Sequence, residues 1–118
     1  MTEHSFKKEC CLLIKAEGGF EKVYSKESKF TLEEYQSFVA GHIEQLPEHY
    51  LKEEYKNFVF YVNEEGLVKG LKRNKNAEFL LDFKKLDEYF EWIAGDVIIL
   101  GGDNFRELTK NQIKKFLQ

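Results

Sequence analysis

With 118 residues, 42% of them hydrophobic and 15% aromatic, the chain has the length of one domain and enough bulky apolar material for one core, which excludes disorder over most of its length. Its 18 basic and 21 acidic residues lie in short mixed runs and leave a net charge of −3, without the concentrated positive field that general nucleic-acid binding uses. No apolar run approaches the ~20 residues that span a bilayer, and Met1 to Ser5 lacks the apolar centre of an export signal, so no membrane association and a cytosolic location are expected.

The chain opens on a hairpin pattern. Cys10 to Ala16 is apolar enough for a strand, Gly18-Gly19 supplies the turn, and Phe20, Lys22 and Tyr24 alternate on the return. Cys10 and Cys11 are adjacent and point to opposite faces of a strand, so they read as free thiols without a structural disulfide. A helix start follows, with Thr31 as cap, Glu34 reaching back to complete a capping box, and Phe30 and Tyr35 spaced as a hydrophobic staple. Leu32, Tyr35, Phe38 and Val39 fall on one helical face, and Gly41 is placed to end the helix in the left-handed region.

His42 to Leu46 reads as a short strand stopped by Pro47, and Glu48 to Lys56 as a polar connection. Asn57 to Val62 is the clearest strand, its run of aromatic and aliphatic residues pointing to cover on both faces and a central place in the sheet. Asn63-Glu64-Glu65-Gly66 has the composition of a type I turn with a left-handed glycine, which makes Leu67 to Leu71 the returning strand. The spacing of Phe79, Leu80, Phe83, Leu86, Phe90 and Ile93 predicts a helix between Asn74 and Ile93. Ala94 to Gly102 follows as a buried strand. A last helix has Thr109 and Gln112 as capping box, Leu108 and Ile113 as staple, and Ile113, Phe116 and Leu117 as its apolar face. The element order is β-β-α-β-β-β-α-β-α, giving one α+β domain over 1–118 with a mixed or antiparallel sheet of five to six strands and two to three packed helices.

Chemistry-bearing residues are sparse. His4, His42 and His49 form no zinc-ligand spacing with each other or with Cys and carboxylates, so neither metal nor cofactor is expected. His42 and Glu44 share a strand face and could act as an acid/base pair; the plainer reading is a solvent-facing polar pair. Lys69, Lys72, Arg73 and Lys75 cluster beside Asn74 and Asn76, where Arg offers a planar fork for phosphate and Asn can bond a base or ribose. The ligand-binding candidates are His42, Glu44, Asn63, Lys72, Arg73 and Asn74. Tyr50, Tyr55, Tyr61, Tyr89 and Trp92 are aromatic candidates for core or contact surfaces, and Tyr89, Phe90 and Trp92 are the interface candidates.

Four short motifs occur in order: Gly41-His42-Ile43-Glu44, Asn63-Glu64-Glu65-Gly66, Gly70-Leu71 with Asn74 and Ala77, and Gly95-Asp96-Val97-Ile98-Ile99. In them the chain, over residues 10–103, resembles a family of small proteins of bacteriophages and related mobile elements catalogued as a domain of unknown function. It departs from that pattern in a Phe-rich and Lys-rich insertion between Leu80 and Gly95. The resemblance implies a viral or mobile-element source. With it, the expected function is a non-enzymatic binding protein that engages a host protein, inhibition of a bacterial defence system being one such role. The alternatives are a sponge for a small nucleotide signal held by Lys72, Arg73 and Asn74, and a small hydrolase using His42 and Glu44. A homodimer through an open strand edge is compatible with the pattern.

Overall fold

The computed structural model describes residues 8–101 and 109–117. The expected hairpin forms as β1 (Cys10–Ile14) and β2 (Phe20–Tyr24), paired from Cys10↔Tyr24 to Ile14↔Phe20. Gly18 and Gly19 both adopt positive φ, 118° and 81°, which a side chain at either position would strain. Helix α1 (Leu32–Val39) begins with the predicted capping box, and Phe30 and Tyr35 close the staple with ring centroids 5.3 Å apart. After β3 (Ile43–Gln45) and β4 (Val59–Asn63), the chain runs through a series of turns to β5 (Val97–Leu100) and α2 (Lys110–Phe116).

These strands make one antiparallel sheet in the order β2-β1-β5-β4-β3. The fold is α+β, as expected, with five strands and two α-helices among the described residues. The central strand is β5, with Val97, Ile98 and Ile99 fully buried. The Asn57 to Val62 run lies one place in from the edge: β4 is buried at Phe60 and Val62 and only half-buried at Val59 and Tyr61.

Strand alternation sorts the apolar residues into two layers. Cys10, Leu12, Ile14, Phe60, Val62, Val97 and Ile99 face a core closed by Leu46, Leu51, Tyr55, Ala77, Leu80, Leu81, Ile93 and Ile113. Cys11, Leu13 and Ile98 face α1, where Val39 is buried and Tyr35, Phe38, Ile43 and Tyr61 pack around it. Both cysteines are free and buried, and burial pushes the Cys11 thiol up to about 12, so it stays protonated at neutral pH.

Several expectations need correction. The left-handed residue ending α1 is Ala40, φ 62°, whose amide bonds back to Gln36 O; Gly41 is instead required by space, because a Cβ there comes within 2.6 Å of Asn63 Nδ2. Leu32, in the first turn, points to solvent at 54% exposure while the rest of its predicted face packs on the sheet. The stretch from Leu67 to Leu71 is a turn closed by Lys69 N to Glu65 O, Gly70 N to Leu67 O and Leu71 N to Gly66 O, so the sixth strand is absent. Gly66 is close-packed rather than left-handed, since a Cβ on it meets Ala94 O at 2.7 Å.

A further correction concerns the helix expected between Asn74 and Ile93. It is a 3-10 stretch at Lys75–Leu80, a shorter one at Phe83–Lys85, and irregular chain beyond. Two aspartates explain the break. Asp82 accepts from the amide of Lys84, and Asp87 from the amides of Tyr89 and Phe90, so each side chain replaces a helical carbonyl as partner. The segment is held instead to the 46–58 connection through Lys52 N to Leu80 O and Asp82 N to Tyr50 O, flanking a bridge between Leu51 and Leu81.

At the start of α2, Thr109 and Gln112 form the second predicted capping box, and Ile113 is fully buried; Leu108 and the side chain of Phe116 lie outside the described residues, as does His4. The α1 box carries a pH dependence. Glu34 accepts from the amides of Thr31 at 2.9 Å and Lys26 at 3.0 Å, and these bonds, chiefly that from Thr31, hold its carboxyl below the ordinary value of 4.5. A carboxylate with a depressed folded-state pKa contributes stability that is complete above the unfolded value and is lost as pH falls through the folded one. Urea midpoints from pH 7 down to pH 3 should therefore fall less steeply for Glu34→Gln than for the parent chain. Parallel curves would contradict this role.

Candidate aromatic groove

An open groove of about 340 Å³ lies on the face of the sheet opposite α1, within the size range of ligand sites. Glu44, Leu46 and Val62 form its sheet side. The turn after β4 contributes Glu64, Gly66, Leu67 and Val68, and the irregular chain before β5 supplies Tyr89, Phe90, Glu91 and Trp92. The approach of Gly66 to Ala94 draws the turn against that chain, so the two walls meet at the base of the groove. Tyr50 braces the far wall: its hydroxyl donates to Asp87 Oδ2 at 2.7 Å, and its ring packs edge-on against Phe90 at 5.2 Å. That hydrogen bond holds the Asp87 carboxyl below, and the Tyr50 phenol above, their usual ranges.

Large apolar side chains stand open to water along the rim. Val68 is 87% exposed, Tyr89 82% and Trp92 39%. A cluster of this kind, too far apart in sequence to be a single exposed segment, is unusual on a surface that contacts only solvent. The charged residues lining it are Glu44, Glu64 and Glu91, and none makes an ion pair among the described residues.

The structure gathers the interface candidates Tyr89, Phe90 and Trp92 at this groove, together with Glu44 and Asn63 from the ligand-binding set. Asn63 is buried and braces the local chain: Nδ2 donates to Val39 O at 2.9 Å and Oδ1 accepts from Glu65 N at 2.7 Å. His42 is exposed, its carbonyl accepting from Glu64 N, and no hydrogen bond joins its side chain to Glu44. Three of the four residues of the cation cluster make ion pairs. Lys72 pairs with Glu17 at 3.3 Å, Lys69 with Glu65 at 3.6 Å, and Arg73 with Glu78 at 2.7 Å while its guanidinium lies 5.9 Å from the Trp92 ring centroid. Asn74, fully buried, donates to Ile14 O and Gly95 O and accepts from Ala77 N.

Glu64, Leu67, Val68 and Glu91 escaped the sequence reading because Leu67 and Val68 fell in an expected strand, and no periodicity marks a turn that bends back onto residues 91–94. Among the described residues there is no cluster of three or more His, Cys, Asp or Glu able to hold a metal ion, and no helix long and apolar enough to cross a membrane.

No curated protein and no solved structure matches the chain. The model of one family, described as a domain of unknown function (DUF3846), matches residues 11–118, from the first strand through the last helix, and the chain belongs to that family.

Proposed function

We propose that this chain is a non-enzymatic binding protein, carried by a phage or mobile element, that engages a host-cell protein through the aromatic groove. One observation carries the reading: Tyr89, Trp92, Leu67 and Val68 converge from two separate segments on one concave surface and remain exposed there. Exposed aromatic residues grouped around a groove are the usual anchors of protein interfaces, where a few of them supply most of the binding energy. The phage or mobile-element setting, and hence the host partner, comes from the motif resemblance.

The test begins with capture from host lysate and identification of the partner, followed by titration of the purified pair. Tyr89→Ala with Trp92→Ala should weaken binding by about 30-fold or more, the effect of losing one or two interface anchors. Tyr24→Ala, which truncates an exposed aromatic on the opposite edge strand, should bind as the parent does. Equal affinity of the groove variant and the parent for the captured protein would overturn the reading.

A further inference from the structure

Strand β3 is the sheet edge beside the groove. Glu44 lies opposite Val62, and the bonds from Glu64 N to His42 O and from Leu46 N to Phe60 O flank that pair. Antiparallel ladders alternate bonded and non-bonded pairs, so His42, Glu44 and Leu46 turn their backbone groups toward β4 while Ile43 and Gln45 turn theirs outward. No backbone hydrogen bond from another described residue reaches those outward groups. An edge of this kind is a template for another strand.

The same two-residue period sends the Glu44 side chain into the groove. There Glu44, Glu64 and Glu91 stand together without an ion pair among the described residues. Three open carboxylates beside an apolar wall are complemented by positive charge and apolar surface together. A strand laid along β3 presents alternate side chains to the groove at a spacing of about 6.6–6.8 Å, which suits that mixture.

We propose that the β3 edge accepts an extended, basic segment of a partner protein by strand addition. Its backbone pairs with Ile43 and Gln45, its lysine or arginine side chains lie among Glu44, Glu64 and Glu91, and its apolar side chains rest against Tyr89 and Trp92. This inference rests on the binding reading above and adds the partner's chemistry and the manner of its docking.

The probe is the acetylated, amidated peptide KTLTKTLTK, whose odd positions carry lysine and leucine in turn on one strand face, with a fluorescent label, measured by anisotropy against the full chain. It should bind, and raised salt should weaken it. Replacing Glu44, Glu64 and Glu91 by Gln should reduce affinity roughly two- to fivefold each, and about tenfold or more together. A peptide with glutamate for lysine, and one methylated at every backbone nitrogen, should not bind. Binding that survives methylation or the triple Gln change, preference for the acidic peptide, or no binding by any of them overturns the proposal. So does a dimer in sedimentation that the peptide fails to dissociate, which would make a second copy the occupant of the edge. A captured host protein that depends on Tyr89 and Trp92 while the peptide is refused leaves the earlier reading intact and removes only this one.

Discussion

Replacing Asn74 by Ala should cost about 3–4 kcal/mol of folding stability, a large part of the roughly 5–15 kcal/mol that holds a domain together. Asn74 is 0% exposed, and its side chain makes three hydrogen bonds: Nδ2 donates to Ile14 O at 2.9 Å and to Gly95 O at 3.0 Å, while Oδ1 accepts from Ala77 N at 3.1 Å. Those partners sit at the end of β1, just before β5, and in the 3-10 stretch that covers the core, so one amide ties three separate segments. Alanine leaves two carbonyls and an N–H buried with weaker partners or none, each at a cost of about 1–3 kcal/mol before relaxation. The melting temperature should drop by about 10 °C or more.

Asn74→Asp sharpens the test. The carboxylate can still accept from Ala77 N, but it sets a second oxygen against the Ile14 and Gly95 carbonyls. Those oxygens disfavour the charged form, so the introduced carboxyl should have a raised folded-state pKa. Relative to the parent, the deficit should be smallest below the ordinary aspartate pKa of ~3.9 and should grow as pH rises through the raised folded value. A loss under about 1 kcal/mol for Asn74→Ala by urea denaturation would show that the anchor is redundant.

This asparagine also marks what the sequence could and could not disclose. Its place beside Lys72 and Arg73 suggests a phosphate or nucleotide site, because those residue types in a loop are what such a site uses. The partners these residues take are long-range: Glu17 pairs with Lys72 from 55 residues away, and Ile14 takes the Asn74 amide from 60. No local pattern carries that information. Capping boxes are the opposite case, complete within four residues, and both were legible in full at Thr31 and Thr109. The Gly18-Gly19 hairpin was legible for the same reason.

The misread middle of the chain has a related cause. Apolar spacing of three to four residues is shared by α-helices and short 3-10 turns, and the choice between them at 75–93 was made by Asp82 and Asp87 capping amides of their own segment. Glycine was ambiguous in another way. At Gly41 and Gly66 the missing Cβ makes room for Asn63 and Ala94, and space is a tertiary property. The groove was half legible on these grounds: Tyr89, Phe90, Trp92 and Glu44 stand out by residue type, but only the fold brings Leu67, Val68 and Glu64 beside them.

The two-layer arrangement makes neighbouring residues of β4 unequal. Phe60 is 1% exposed and lies opposite Ile99 in the core beneath the 3-10 stretch, whereas Tyr61 turns to the other face and is half-buried, its ring 5.3 Å from Tyr35. Phe60→Ala removes a whole buried ring from the core cluster it shares with the fully buried Leu80 and Leu81. It should cost about 3–5 kcal/mol. Tyr61→Ala withdraws less area from water and leaves a gap that solvent can reach, so roughly half that loss is expected. Urea unfolding with an unchanged denaturant slope is the measurement, since it reports stability apart from changes in the unfolded chain. An equal or larger loss at Tyr61 would mean that α1, and not the turn-rich layer beside the groove, covers the principal core. The groove wall would then have to be held by its own turns, without Phe60 beneath them.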